Sequence, residues 1–445
     1  MPIDESVKKA LNKKGTYGKD IDLEKYDEAD KDSDQIDDLE STKYKEYMEH
    51  VGVVADEMAR SGTLMFINNG LSHCSPKVQE GLELMTVSEA LKVHQGLKNF
   101  MWKAMDPEKD KYTAKTYLED GDGFFIRVKP GYHIQSPMQT CMLLNQDKAI
   151  QNIHNIIIVE DGASLEMITG CSTTRHANDA LHVGVTEIYI GDNANLTYSM
   201  IHSWGDKTNV RPRTRTVVGK NSNYTNNYVI LNPVGDLQSF PVSDLSEGAS
   251  TTFNTMCIAH AGSNIDTGGM ANLNGFGSRA EIMSRSISMG GKMCARGRLV
   301  GNSPGAKAHL ECRSIILKDG GSTLAIPELE AHVADVEMTH EAAVGKIARD
   351  QIEYLMSRGL DEDQAVSMIV RGFLSGSISG LPEELQNEID AVPSQVFFQN
   401  LHRYIVMPVI GSCPSVLNHF SVTLIIAQRN PSVKSALLKF CFFDA

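Results

Sequence analysis

A repeated strand and turn pattern over residues 117–338 restricts the fold of this chain more than any other feature. Short runs rich in β-branched residues alternate with turns that read as an acidic or small residue, then Gly or Asn, then a small residue. Gly and Asn tolerate positive φ, and the small residue after them lets stacked turns approach closely. Five turns have this form, at 160–165, 191–196, 246–250, 303–308 and 318–322.

The runs between these turns are predicted to be strands because β-branched residues dominate them. Examples are 124–128, 155–159, 185–190 and 313–317. No clear helical pattern separates the runs, so this arrangement favours a parallel β-helix over a doubly wound sheet. A β-sandwich is the competing all-β architecture. The sequence therefore predicts a mainly β fold with a β-helix core over 117–338.

The segments before this core are predicted to differ from it and from each other. Residues 1–43 are rich in Asp and Glu and bury too little apolar surface to order themselves, so we expect an acidic mobile arm. Residues 44–116 place apolar side chains such as Met48 and Val51 at helical spacing, which predicts an N-terminal helical region.

Helical character is predicted to return over 339–392. The expected helices cover 339–357, a segment that begins at Asp361, and 382–391. Gly359 fits the stop of the first helix, and Asp361 with Gln364 resembles a capping box for the second. Residues 393–445 form an apolar tail without a clean period, and the sequence gives this tail no role.

Charge and cysteine content narrow the classes of function. The chain has 42 Lys and Arg against 56 Asp and Glu, a net charge of −14, which argues against binding to nucleic acid or to an anionic membrane surface. The eight cysteines form no C-x-x-C pair, which favours a reducing compartment. The N-terminus lacks a signal-peptide pattern, and no apolar run approaches the ~18 residues that span a bilayer. We therefore expect a cytoplasmic protein.

The sequence contains no recognisable nucleotide-binding or nucleophile motif. Its Gly-Lys dipeptides lack the Ser or Thr and the earlier Gly of a phosphate-binding loop. Residues 301–305 spell G-x-S-x-G, but Pro304 has no N–H to give to an oxyanion hole. Residues 275–280 match a loose dinucleotide string without a βαβ pattern around them. We expect turns at both places.

Cys312 and the neighbouring pair His340 and Glu341 are the candidates for metal chemistry. Thiolates are the ligands that iron–sulfur chemistry prefers, and an imidazole and a carboxylate can complete the shell or accept protons. The guanidinium of Arg296, Arg298 or Arg313 would lower the pKa of the Cys312 thiol if it lay nearby. A lone cysteine in a strand is more often a small buried hydrophobe, so that alternative stays open.

Three segments resemble the C-terminal half of the SufB/SufD family of iron–sulfur cluster assembly proteins. They are E-C-R-S-I-I-L from Glu311, T-H-E-A-A-V-G-K-I-A-R-D-Q-I-E-Y-L-M-S-R-G-L from Thr339, and D-E-D-Q-A-V-S-M-I-V-R-G-F from Asp361. Upstream, 170–171, 181–190 and 199–204 extend the resemblance to about 117–391. The resemblance implies a right-handed parallel β-helix between helical ends. It also implies that the protein is an assembly scaffold that carries a transient iron–sulfur cluster, and not an enzyme.

The resemblance also implies roles for individual residues. Cys312, His340 and Glu341 occupy the positions at which SufB-type members build the cluster. Cys171 matches a cysteine at one end of a sulfur-transfer path through the β-helix, although a buried structural thiol is an open alternative. Trp204 and Asn145 match other positions of that path. His202 and Leu143 depart from the family pattern, where glutamine and arginine occur.

Partners follow from the same resemblance. A SufC-type ABC ATPase is expected to dock on the helices after His340, with anchors at Met368, Ile369, Val370 and Phe373. A second copy or a sister SufD-type subunit is expected to pair through the C-terminal coils, and sulfur donors and acceptor apoproteins are expected to bind. The family also admits a flavin, which no motif of this sequence supports.

A SufD-like structural subunit without cluster chemistry is the alternative function. A β-helix enzyme acting on acidic glycans is disfavoured by the acidic charge balance and the absence of a signal peptide.

Overall fold

The core of the protein is a parallel β-helix built from two sheets. The computed structural model describes residues 5–31, 35–76, 80–177 and 179–375. Among these residues the first sheet contains twelve strands: β1 (Asp27–Glu28), β4 (Leu82–Thr86), β5 (Phe124–Val128), β7 (Ala149–Val159), β9 (Leu181–Ile190), β11 (Asn209–Val210), β12 (Arg213–Val218), β14 (Asp236–Ser239), β15 (Val242–Leu245), β17 (Asn264–Leu273), β19 (Lys292–Gly301) and β21 (Ser322–Ala331).

Within the described ranges the second sheet contains ten strands, and the chain passes from one sheet to the other in each coil. Its strands are β2 (Gly62–Ile67), β3 (Gly70–Pro76), β6 (Met138–Leu144), β8 (Ser164–Thr173), β10 (Asn195–Ser203), β13 (Asn223–Ile230), β16 (Ser250–His260), β18 (Arg279–Met289), β20 (Ala306–Lys318) and β22 (Val336–Gly345). Strands of successive coils pair in parallel, whereas β2 with β3 and β4 with β5 form antiparallel pairs at the N-terminal end. The mainly β fold and the β-helix core are confirmed.

The predicted turns contain the backbone conformation that their residues favour. A residue with positive φ occurs in each: Gly162, Asn193, Gly248, Gly305 and Gly320. Most residues other than Gly and Asn are strained at positive φ, so these positions fix where each coil bends. The G-x-S-x-G string ends in the turn at Gly305, and the dinucleotide-like string contains the turn at Gly277. Both are turns, as expected.

Alternate side chains of the second sheet point into the space between the sheets, which we call the bore. Two rows of inward side chains run along it in register. The Cys171 row consists of Met142, Cys171, His202, Ile230, Cys257, Ser286, Ser314 and Val344. The Cys312 row consists of Thr169, Met200, Tyr228, Thr255, Ser284, Cys312 and Ala342. Bulky side chains fill the middle coils, and small or hydroxyl-bearing side chains predominate in the last coils.

The acidic N-terminal segment packs against the β-helix where the structure describes it, so the prediction of a mobile arm is wrong there. Strand β1 adds to β7, and Ile21 is buried. The carboxylates form ion pairs with lysines that are distant in sequence: Lys111 Nζ lies 2.5 Å from Asp20, and Lys115 Nζ lies 2.5 Å from Glu28. These acids are ion-paired to the core, which composition alone does not reveal.

The region 44–116 is only partly helical, contrary to prediction, because it also contains β2, β3 and β4. Its helices are α2 (Lys45–Glu49), α3 (Val87–Val93) and α4 (Lys111–Leu118), after α1 (Glu5–Ala10), and short 3-10 helices cover Leu23–Lys25, Glu57–Ala59 and Gln95–Asn99. The strands pack Leu64 and Phe66 onto the end of the bore. Pairing with the core therefore decides their conformation, which local apolar spacing did not indicate.

The predicted helix over 339–357 begins later than expected. Thr339 to Ala342 lie in β22, and the helix α5 covers Arg349–Ser357. A ten-residue ladder with β20 overrides the helical pattern of this segment. Gly359 ends the helix with φ of +98°, as predicted.

The second C-terminal helix has the predicted capping box. Helix α6 covers Glu362–Ser375. The backbone N–H of Gln364 donates to Asp361 Oδ1 at 2.7 Å, and the N–H of Asp361 donates to Gln364 Oε1 at 2.9 Å. The predicted helix at 382–391 and the tail at 393–445 lie outside the described residues. No helix within the described ranges is long and apolar enough to cross a membrane.

Candidate functional site

The last coil leaves two long strands at the edges of the sheets. Strand β21 pairs with β19 and strand β22 with β20, and neither has a second neighbour among the described residues. Apolar side chains on these strands are exposed: Leu324 by 56%, Leu329 by 40% and Val344 by 45%. Long, exposed and partly apolar edges are ready to pair with another chain.

Cys312 lies one strand inside this edge and points into the bore. It is in register with Ser284 on one side and with Ala342 of β22 on the other, and it is 2% exposed. Burial raises the pKa of its thiol to about 11, and the Arg285 guanidinium opposes that shift. The sulfur is therefore a protonated thiol at neutral pH, and binding a metal ion would require it to lose that proton.

The structure brings His340 to the same face as Cys312 but places Glu341 on the other face. His340 is in register with Leu310, which shares the inward face of β20 with Cys312. Glu341 is in register with Glu311, and alternate residues of a strand face opposite sides of the sheet. Both His340 and Glu341 are exposed.

A chain of four charges holds Glu341 on the outer face. Arg313 lies 2.9 Å from Glu341 and 3.1 Å from Glu311, and Glu311 also pairs with the buried Arg285. Glu341 would have to leave Arg313 before it could bind a metal ion. The guanidinium that acts on the Cys312 thiol is that of Arg285, which belongs to the neighbouring coil.

The three arginines that the sequence suggested for Cys312 each pair with a carboxylate. Arg313 pairs with Glu341, Arg296 lies 2.7 Å from Asp266, and Arg298 lies 2.6 Å from Glu330. The arginine that opposes the rise in the thiol pKa is Arg285, and not one of these three. Only the stacking of coils brings Arg285 close to Cys312, so sequence spacing gave no signal for it.

No group of three His, Cys, Asp or Glu side chains within the described residues is placed to hold a metal ion. Cys312 and His340 provide two donors on one face of the sheet. A complete set of ligands at this edge therefore needs donors from another chain or a change in the position of β22.

Cys171 lies in the middle coils, where side chains enclose it. It is in register with Met142 and His202, and it is buried in the main core. Burial raises the pKa of its thiol well above its usual value. This thiol is also protonated at neutral pH.

Aromatic rings cluster next to Cys171. The ring of His202 lies 5.2 Å from that of Trp204 and 4.9 Å from that of Tyr228, and the ring of His182 lies 4.9 Å from Trp204. Desolvation lowers the pKa of His182 to about 4 and that of His202 well below its usual range, so both rings are neutral. Sequence analysis missed His182, because the first sheet brings it across the bore.

Asn145 and Leu143 lie outside the bore. Asn145 donates from Nδ2 to Tyr44 Oη at 3.2 Å and accepts a hydrogen bond from Thr174 Oγ1 at 2.5 Å, while Leu143 packs in the outer apolar cluster. Asn145 therefore joins the segment before α2 to the loop after β8.

A cavity of about 300 Å³ opens at the C-terminal ends of β8 and β10. Ser172, Ser203 and Trp204 line it from the β-helix, and Tyr47 and His50 line it from the segment around α2. Ser172 and Ser203 directly follow Cys171 and His202 in the chain, so their side chains face the outer side of the second sheet. The cavity therefore lies outside the bore, and Trp204 both lines it and contacts the ring of His202.

The proposed ATPase anchors on α6 are not equally accessible. Met368 is 53% exposed, Ile369 and Phe373 are half-buried, and Val370 is fully buried against the second sheet. Val370 is therefore unavailable as an anchor, because the protein's own sheet covers the apolar stripe of α6. Among the described residues of α5 and α6, the exposed apolar side chains are Tyr354, Met356 and Met368, and Met368 is one of the expected anchors.

Comparisons with known proteins agree on one family. The family model described as "SUF system FeS cluster assembly, SufBD core domain" matches residues 142–373, over half of the chain. An "iron-sulfur cluster assembly SufBD family protein" of Methanothermobacter thermautotrophicus is 41% identical, over 86% of this chain and 95% of that protein.

Two further relatives extend the comparison. A protein of the same description from Archaeoglobus fulgidus is 42% identical, over 78% of this chain and 93% of that protein. "Iron-sulfur cluster assembly protein SufB" of Bacillus subtilis is 28% identical, over 70% of this chain and 68% of that protein. The chain therefore belongs to the SufB/SufD family of iron–sulfur cluster assembly proteins.

Proposed function

We propose that this protein is the scaffold subunit of a SUF-type complex, on which a nascent iron–sulfur cluster forms at the interface between two subunits. The observation that carries the proposal is the position of Cys312, one strand inside an exposed sheet edge and on the same face as His340 of the edge strand. Iron and sulfide are the substrates of this assembly. A partner SufC-type ATPase supplies ATP hydrolysis, since the sequence has no phosphate-binding loop of its own.

The subunit interface is formed by the edge strands β21 and β22. Each is ten residues long and carries backbone groups that a second chain can pair with. The exposed Leu324, Leu329 and Val344 add apolar surface to that contact. The occupant is a second copy of this chain or a sister SufD-type subunit.

Cluster assembly requires Cys312 to become accessible. The thiol is 2% exposed, and β22 is the single strand of its sheet between it and the edge. Only residues 346–348 separate β22 from α5, so a force applied to that helix reaches the edge strand directly. Two ATPases that dock on α5 and α6 and close together would shift β22 and expose the thiol.

We expect the residues at the edge to act one after another once β22 has moved. Cys312 gives up its proton and binds iron through sulfur, and His340 on the same face accepts that proton or adds a nitrogen ligand. Glu341 contributes oxygen once Arg313 releases it. Sulfur reaches the site from a donor protein, and the finished cluster passes to acceptor apoproteins.

A SufD-like interaction subunit without cluster chemistry is the second candidate. It is favoured by the orientation of Cys312 and Glu341 toward opposite faces and by the lack of a preformed three-ligand site among the described residues. Such a subunit would bind the ATPase and hold neither iron nor sulfide.

Iron and labile-sulfide content of the anaerobically purified complex with its ATPase separates the two functions. We expect C312A to lose most of both, because the principal ligand is absent. The matched control is C257A, which removes another buried inward thiol of the second sheet and should keep the wild-type content. Wild-type iron and sulfide in C312A would remove Cys312 from the assembly site, and their absence from the wild-type complex would favour the SufD-like function.

A further inference from the structure

A cavity of about 820 Å³ opens on the outer face of the first sheet, whereas Cys312 belongs to the second sheet. Strands β5, β7 and β9 form its floor, and residues 93–100 form its wall. Phe125 and Ile158 of the floor pack with Leu97 of the wall in an apolar cluster that is separate from the core of the bore. The volume lies in the range of small-molecule sites in proteins.

A buried charge holds the wall of this cavity in place. The Glu187 carboxylate on β9 is 0% exposed, and it accepts the backbone N–H groups of residues 102–105 at 2.5 to 3.0 Å. Two residues further along β9, Tyr189 Oη donates to the Phe100 carbonyl at 2.5 Å. Because a buried carboxylate is costly unless it is fully hydrogen-bonded, these contacts fix the position of the wall. The cavity is therefore preformed.

Aromatic rings line much of the cavity. The rings of Phe100 and Tyr189 meet edge to face at 5.0 Å, and the ring of His94 lies 5.4 Å from that of Phe125. The face of an aromatic ring carries partial negative charge and attracts organic cations. The lining thus suits a ligand with an apolar body and a positive charge.

The charged side chains that line the cavity are mostly acidic. Glu160 and Asp161 line one end of it together with Arg127. Arg127 Nε lies 2.5 Å from Glu160 Oε1, so these two charges compensate each other. Asp161 is exposed and has no cationic partner among the described residues. One negative charge is therefore left uncompensated at this end.

A further carboxylate behind the cavity leaves this balance unchanged. Glu83 on β4 lies 3.2 Å from Lys129 Nζ and 3.5 Å from Arg127. His94 Nε2 lies 3.2 Å from the same carboxylate. Glu83 and Lys129 compensate each other, so the cavity keeps its excess of negative charge. An anionic ligand would be repelled there.

We propose that this cavity binds an organic cation with an apolar body, which is an ammonium or guanidinium group carried on rings or hydrocarbon. The apolar body packs against Phe125 and Ile158, and the cationic group lies beside Asp161. The site is independent of the proposed scaffold function, because it lies on the other sheet from Cys312 and needs neither iron nor sulfide.

Three benzophenone probes that differ only in charge test this proposal on the full-length chain. Their para substituents are aminomethyl, hydroxymethyl and carboxyl, which are positive, neutral and negative at neutral pH. Ligand-observed NMR at low salt gives their dissociation constants, and irradiation followed by mass spectrometry locates their crosslinks. We expect the amine to bind at least about tenfold more tightly than the carboxylate, with the alcohol between them. We expect its crosslinks in 93–100, 125–127, 158–161 and 189–191.

The double variant E160Q/D161N removes the negative charge of the lining with almost no change in side-chain volume. It leaves Arg127 without the Glu160 carboxylate, so we expect the preference to reverse toward the benzophenone carboxylate. The matched control is E247Q, because Glu247 is an exposed acid of another turn that pairs with Lys220. We expect E247Q to keep the wild-type preference. If the double variant does not fold, D161N alone should weaken amine binding at least about threefold.

Every result bears on the proposal. Tighter binding of the amine, with crosslinks at the cavity and a reversed preference in E160Q/D161N, would support it. Equal binding of the three probes, crosslinks at other surfaces, or wild-type preference in E160Q/D161N would overturn it, as would wild-type amine binding in D161N if the double variant does not fold. A complex that holds no iron or sulfide would contradict the scaffold function alone, since these probes report on the other sheet.

Discussion

Two inward thiols of this β-helix, those of Cys171 and Cys312, lie in different surroundings. Cys171 is enclosed by Trp204, Tyr228 and two neutral imidazoles in the middle coils, whereas Cys312 lies among small side chains one strand from an exposed edge. The same fold thus encloses one sulfur in the middle coils and places the other a single strand away from an exposed edge. Position along the bore therefore determines how far each thiol lies from an exposed edge.

The middle coils and the last coil should differ most strongly in how much their packing contributes to stability. Ile230 and Val344 belong to the same inward row, but Ile230 is fully buried and Val344 is 45% exposed. We expect Ile230→Ala to lower the free energy of unfolding by about 2 to 5 kcal/mol, because it leaves a cavity, and Val344→Ala to lower it by less than about 1 kcal/mol. Denaturant unfolding measures both, and equal effects would contradict the contrast.

Acid should weaken the middle coils through their neutral histidines. In the unfolded chain an imidazole binds a proton near pH 6.5, whereas burial lowers the pKa of His182 to about 4. The unfolded state therefore binds more protons as pH falls below 6.5, and the stability that is complete above this pH is lost toward pH 4. We expect a slope of about 1 kcal/mol per pH unit, reduced in His182→Gln. An unchanged slope in this variant would show that His182 is not responsible.

The exposed edge should control association without affecting folding. Val344→Glu places a charge on β22, and Val217→Glu is the matched control on an exposed valine of the first sheet away from that edge. We expect Val344→Glu to weaken subunit pairing at least about tenfold, because the charge would be buried in the interface. Sedimentation measures the association, and a similar loss in Val217→Glu would point to a different surface.

A substitution in the expected ATPase contact should have the smallest effect of the four, which is a modest loss of ATPase binding. Met368 is 53% exposed on α6, and Met58, which is 83% exposed near the N-terminal end, provides the matched control. We expect Met368→Glu to weaken ATPase binding about tenfold or less, since one apolar contact of a larger surface is lost, and Met58→Glu to have no effect. Calorimetric titration of the two variants decides this, and equal binding would place the contact elsewhere.

Sequence reasoning succeeded where structure is local. The turns at Gly162, Gly248 and Gly305 need a backbone conformation that few residues adopt, so the sequence identified them directly. The capping box at Asp361 and the stop at Gly359 are equally local signals.

Sequence reasoning failed where distant segments meet. His340 lies in a strand because β20 pairs with it, although its own segment looks helical. Arg285 reaches Cys312 from the preceding coil, and His182 reaches Trp204 from the opposite sheet. Residue chemistry and the family resemblance together indicated Cys312, His340 and Glu341 as candidates, but only the register of β20 and β22 revealed that Glu341 faces away from the other two.

Alkylation of Cys312 in the complex with its ATPase, with and without ATP, measures whether β22 moves to expose the thiol. We expect ATP to raise the rate at Cys312 at least about tenfold, because β22 moves and the thiol can ionise, while the rate at the enclosed Cys257 stays constant. A Cys312 that remains as slow as Cys257 in a complex that is assembling clusters would contradict it.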